Sequence, residues 1–80
     1  EGEHEVTVFP NPSASDFNIK LDNFDDEVEI EIIDMLGCVV YQGSFASCGL
    51  VNINPNLPSA AYTLRVKSGK TVVSKMIVKK

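Results

Sequence analysis

The residues Glu27-Val28-Glu29-Ile30-Glu31-Ile32 alternate strictly between carboxylates and branched apolar side chains. An extended strand points successive side chains to opposite faces, so this run fits a strand with one wet face and one buried face, and it fits no helix. The same period recurs in Phe17-Asn18-Ile19-Lys20-Leu21 and in Tyr62-Thr63-Leu64-Arg65-Val66-Lys67, the latter with bases on its wet face. Further strands are expected over Glu5 to Phe9, Cys38 to Ser44, Leu50 to Asn54 and Thr71 to Lys79, about seven in all. No window of about eleven residues carries an apolar stripe at helical spacing.

The punctuation between these runs agrees with strands. Pro10-Asn11-Pro12 lacks two backbone donors and pushes its neighbours into extended geometry, which ends the first strand. Asp34-Met35-Leu36-Gly37 has the Asp and Gly of a type I turn, which makes a hairpin with a bulge. Lys67-Ser68-Gly69-Lys70 reads as a tight two-residue hairpin turn, and Pro55-Asn56-Leu57-Pro58 forbids a helix across the longest connection.

Seven short strands in 80 residues describe an all-β, Ig-like antiparallel sandwich whose alternate residues meet in the middle. The expected core is Val6, Val8, Phe17, Ile19, Leu21, Val28, Ile30, Ile32, Val39, Tyr41, Ile53, Tyr62, Leu64, Val66, Val72, Met76 and Val78. A chain of this length buries only about 60 to 65% of the surface it exposes when unfolded, so each inward side chain counts.

All eleven acids lie between Glu1 and Asp34, and six of the seven bases lie between Arg65 and Lys80. In a compact β domain the two halves must pack together, and the expected outcome is cross-strand pairing of opposite charges at a few tenths of a kcal/mol per pair. The sharper reading presents the basic end, Lys75, Lys79 and Lys80, to an acidic partner. A net charge of -4 with bases not interleaved with aromatics argues against nucleic acid. No apolar run approaches the roughly 18 residues of a membrane span. The chain opens without the basic and apolar regions of a signal peptide, so an export signal of that kind would lie upstream of Glu1.

Catalytic chemistry finds little purchase. The single histidine, His4, sits in the acidic leader, and there is no nucleophile elbow, phosphate-binding glycine loop or pair of cysteine clusters. An enzyme, a metal centre and a cofactor are therefore not expected. Asp22 to Glu27 holds four carboxylates at a turn, which reads first as a solvated acidic turn and second as an ion site. Cys38 and Cys48 invite a disulfide, but opposite ends of a hairpin place them beyond bridging distance, so two thiols are preferred. Tyr41 and Tyr62 fall on inward faces and tryptophan is absent, which disfavours a carbohydrate platform.

Several segments together resemble the type A C-terminal sorting domain carried by cargo proteins of the type IX (Por) secretion system of Bacteroidetes. Val6-Thr7-Val8-Phe9-Pro10-Asn11-Pro12-Ser13 is similar to its aliphatic, aromatic, Pro-Asn-Pro opening, and Phe17-Asn18-Ile19 to the strand that follows. Ile32 to Tyr41 resembles its Asp-x-x-Gly hairpin, Leu57 to Val66 its Tyr-containing strand, and Lys75 to Lys80 the lysine-flanked apolar strand that closes such chains. Two departures stand out. Ala60 replaces a usual Gly, where a left-handed backbone would cost about 1 kcal/mol unless the loop takes another path. The Gly usual after Pro-Asn-Pro is also absent.

The resemblance implies an address: an upstream cargo is carried through the periplasm and across the outer membrane by a translocon and shuttle protein. A sortase-like C-terminal signal peptidase then removes the domain, and the cargo is held at the cell surface or released. It implies an acidic linker over residues 1–5 and a sorting domain over 6–80. Lys75, Ile77, Val78, Lys79 and Lys80 are the implied recognition positions, and Pro10, Asn11, Pro12, Asp34, Gly37 and Tyr62 the structural motif. The expected geometry puts Lys75, Ile77 and Lys79 on one face while Met76 and Val78 hold the strand to the core. A last strand at a sheet edge can augment a partner's sheet or self-associate weakly, and its lysines can equally guard against aggregation. The alternatives are an Ig-like or fibronectin-like adhesion or carbohydrate-binding module, and a spacer domain.

Overall fold

The computed structural model describes residues 5–24, 27–46 and 49–80. Seven strands follow in chain order: β1 (Glu5–Phe9), β2 (Phe17–Asp22), β3 (Val28–Ile33), β4 (Val39–Phe45), β5 (Leu50–Ile53), β6 (Ala60–Ser68) and β7 (Thr71–Lys79). They form two antiparallel sheets of order β1-β2-β5 and β4-β3-β6-β7, as the all-β sandwich reading requires. Phe17, Ile19 and Leu21 of β2 meet Val28, Ile30 and Ile32 of β3 and Tyr62, Leu64 and Val66 of β6 in one core.

The Asp34 turn forms as its residue types dictate. Gly37 N–H donates to Asp34 O (3.1 Å), and Asp34 Oδ1 accepts from the N–H groups of Leu36 and Cys38, both at 2.9 Å. Gly37 sits at φ +90°, a conformation that L side chains rarely adopt. The β6–β7 turn is centred one residue later than expected, on Gly69-Lys70, because Ser68 pairs with Thr71. Ala60 opens β6 opposite Lys79, and among the described residues Asn23 is the one non-glycine with positive φ, so this loop takes its own path without strain at Ala60.

The last strand corrects the expected core. Ile77 is fully buried, whereas Val72 (55% exposed), Met76 (63%) and Val78 (39%) face water. The cause is register: Tyr62, Leu64 and Val66 point inward and lie opposite Ile77, Lys75 and Val73, and directly opposite residues share a face. Any two-residue hairpin between these strands pairs even positions of β6 with odd positions of β7. Apolar side chains on both faces of β7 concealed that parity. Val39, also expected inside, is 49% exposed because the β3–β4 register shifts between Ile32 and Ile33 and sets Val39 opposite Ile33. Phe24 and Val51 join the core instead.

The two oppositely charged halves pair across strands. Glu31 lies opposite Arg65 and accepts from its Nη2 at 2.8 Å and its Nε at 3.1 Å, while Lys67 Nζ stands 3.5 Å from Glu31 and 3.6 Å from Glu29. Glu31 is only 6% exposed, and the Arg65 hydrogen bonds, supported by the nearby charges of Lys67 and Arg65, hold its carboxyl below the usual range against the opposing pull of desolvation.

Two tests follow from this packing. Ile77→Ala should lose about 2–5 kcal/mol in denaturant unfolding, whereas Met76→Ala should stay within about 0.5 kcal/mol; equal losses would contradict the register. Because the folded pKa of Glu31 is depressed, its contribution is present above the unfolded carboxylate pKa of about 4.3 and is lost as pH falls through the folded value. Thermal melts from about pH 6 to about pH 3 should therefore fall less steeply in Glu31→Gln than in the unaltered chain.

Candidate functional site

The site is built around β7 and the segment that closes over it. β7 ends its sheet, so among the described strands one of its edges has no strand partner. Along Met76 to Lys80 that edge is covered by the Pro-Asn-Pro segment. Asn11 Nδ2 donates to Met76 O (3.1 Å) and Asn11 Oδ1 accepts from Val78 N–H (2.9 Å). Ser13 N–H donates to Val78 O (3.0 Å), and Lys80 N–H donates to Ser13 O (2.8 Å), a parallel bridge between Ser13 and Lys79.

The sequence explains the arrangement. Pro10 and Pro12 have no N–H to offer a ladder, so the Asn11 side-chain amide, which carries one acceptor and one donor group, stands in for a strand residue. Ser13 is buried, and its hydroxyl donates to Asp16 O and accepts from Ser15 N–H. Asp16 in turn accepts from Asn52 (2.9 Å) and Ser15 (3.1 Å), which hold its carboxyl below the usual range. The clamp is thus fastened to β5 as well as to β7.

Of the expected recognition residues, Lys75 and Lys80 are exposed, Lys79 is half-buried and Val78 is on the outer face. Lys75, Ile77 and Lys79 do share a face, but it is the inward one, where Ile77 fills the core and is unavailable to a partner. Met76 takes its place as an exposed side chain, and strand addition along Met76 to Lys80 is closed by the clamp. The sequence marks Asn11 as part of a strand stop and of the family motif and Ser13 only as part of the family-like opening, and neither reading shows the bonds to β7, whose residues lie more than sixty positions away. Tyr62 is buried, and its hydroxyl donates to Pro58 O (2.7 Å), which ties the start of β6 to the proline-bounded connection.

Other candidates contribute less. Cys38 is exposed and free, while Cys48, His4, Asp25 and Asp26 lie outside the described residues. Among the described residues no three His, Cys, Asp or Glu side chains converge, and no helix is long and apolar enough to cross a membrane.

The chain matches the family described as the secretion system C-terminal sorting domain over residues 7–80. It belongs to that family. No curated protein matches the chain. A secretion sorting domain of the type IX system directs its cargo to the cell surface or the exterior and engages that system's machinery. The adhesion or carbohydrate-binding alternative gains no support from the match.

The clamp makes its own prediction. Asn11→Ala should cost about 1 kcal/mol and raise amide exchange at Val78 without changing that of β3 and β6, measured by hydrogen exchange and NMR. Unchanged protection at Val78 would count against the clamp.

Proposed function

We propose that β7, held by the Asn11–Ser13 clamp, is the surface that the type IX machinery reads on this domain. Lys75, Val78, Lys79 and Lys80 are the contact positions, joined by Met76. The single observation that carries this reading is that the clamp holds β7 with Met76 and Val78 turned to water, Lys75 and Lys79 along the strand and Lys80 directly after it. Ile77 anchors the strand from inside, while Asp34, Gly37 and Tyr62 shape the two connections that position β3 and β6 beside it in the same sheet, and Pro10, Asn11 and Pro12 supply the clamp.

On this reading the translocon and a shuttle protein receive the cargo from the periplasm, and a sortase-like peptidase removes the domain by cutting at or before the acidic segment 1–5. The domain itself then contributes binding and no catalysis. The family, the exposed side chains of β7 and the concentration of bases in its second half support the assignment. The lysines are also suited to discouraging edge-to-edge pairing, and one side chain can serve both ends.

The test is a fluorescent reporter targeted to the periplasm and fused ahead of residues 1–80, expressed in a type IX-competent bacterium beside a version lacking 76–80. Surface reporter from the full fusion and periplasmic retention of the truncation are expected. Lys75→Ala with Lys79→Ala should change stability by no more than about 0.5 kcal/mol per site and abolish surface reporter; export at the unaltered level would remove the lysines from the signal.

A further inference from the structure

The clamp covers only the second half of the open edge of β7. Residues 76, 78 and 80 turn backbone groups toward Asn11 and Ser13. Successive residues alternate edges and the β6–β7 register is unbroken, so Val72 and Ser74 turn theirs the same way. Among the described strands none is hydrogen-bonded along that stretch; β1 faces it from the other sheet, where its ladder is with β2. Between the two edges runs a groove of about 240 Å³, lined by Val6, Thr7 and Val8 on one side, Lys75 and Met76 on the other, and Asn11.

Lys75 gives the groove its charge. It is exposed on the groove side of β7, and among the described residues the ion pairs fall at Arg65 and Lys67, none at Lys75. We propose that the open edge at Val72 and Ser74, with the groove that follows it past Lys75, is a strand-addition site for an extended acidic segment of a partner protein. The segment pairs with the outward backbone groups of Val72 and Ser74, continues the line that Asn11 and Ser13 begin, and sets a carboxylate against Lys75. The clamp shows that this edge accepts β-type pairing, since a side-chain amide and Ser13 already make it. A second copy of the chain fits less well, because two β7 edges paired antiparallel about Ser74 would bring the Lys75 side chains of both copies close together on one face. The inference rests on the sorting reading only for the identity of the partner, the export machinery.

The test uses the isotope-labelled 80-residue chain and two capped synthetic pentapeptides, threonine-valine-glutamate-valine-threonine and its lysine analogue. The acidic peptide should shift and protect the amides of Val72 and Ser74, and bind at least about tenfold more tightly than the basic one. Lys75→Glu should reverse that preference. Ser74→Pro should abolish binding, since it removes an N–H from the open edge and none from the β6 ladder; if this variant misfolds, the charge reversal still decides. Absence of binding, shifts centred on another strand, an unreversed preference, or a dimer formed through β7 would each overturn the proposal. In the reporter fusion, retention on deleting 76–80 with normal export of a folded Ser74→Pro would sink this site and leave the sorting role standing. Export of the truncation would sink the role of the last strand whatever the peptides do.

Discussion

A two-residue turn at Gly69-Lys70 decides which side chains of β7 meet water. It sets each residue of β7 opposite one of β6 in a fixed parity, and β6 has no freedom to rotate because Tyr62, Leu64 and Val66 fill the centre of the core. Ile77 must then be inside, Met76 and Val78 outside, and Lys75 on the side facing β1. The same parity turns the backbone groups of Met76, Val78 and Lys80 toward the free edge, where Asn11 and Ser13 find them. Core, exposed side chains and clamp are consequences of one register.

The clamp brings the beginning of the domain against its end. An edge strand left bare invites pairing with any other edge, and proteins blunt this with charge, proline or a covering segment. β7 has lysines along its length and a covering segment over its second half, while its first half keeps an open backbone. A partner that approaches Met76 to Lys80 meets side chains, and one that approaches Val72 to Lys75 meets backbone as well. The two halves of one strand therefore offer different recognition chemistry.

Electrostatics serve the fold more than the site. The acids of β3 are matched by the bases of β6 across a ladder in which Glu31 is nearly enclosed and hydrogen-bonded to Arg65. Removing one partner would leave a desolvated charge, which costs more than a surface pair contributes. With Arg65 and Lys67 occupied in this way, Lys75, Lys79 and Lys80 remain as the bases of β7 and its end.

Local sequence dictates the strands, the sandwich, the Asp34–Gly37 hairpin and the pairing of the acidic half with the basic half. These depend on local period, turn chemistry and charge, which neighbours in the chain reveal. It also held the motif order of the sorting family. It did not determine the face of β7, where Val72-Val73 and Met76-Ile77-Val78 offer apolar side chains to both sides and only the pairing with β6 chooses. The displacement of Val39, the enclosure of Glu31 and the use of Asn11 as a substitute strand residue were likewise decided by tertiary structure. Each depends on contacts between residues distant in the chain, and hydrophobic period carries no information about which distant edge a side chain will meet.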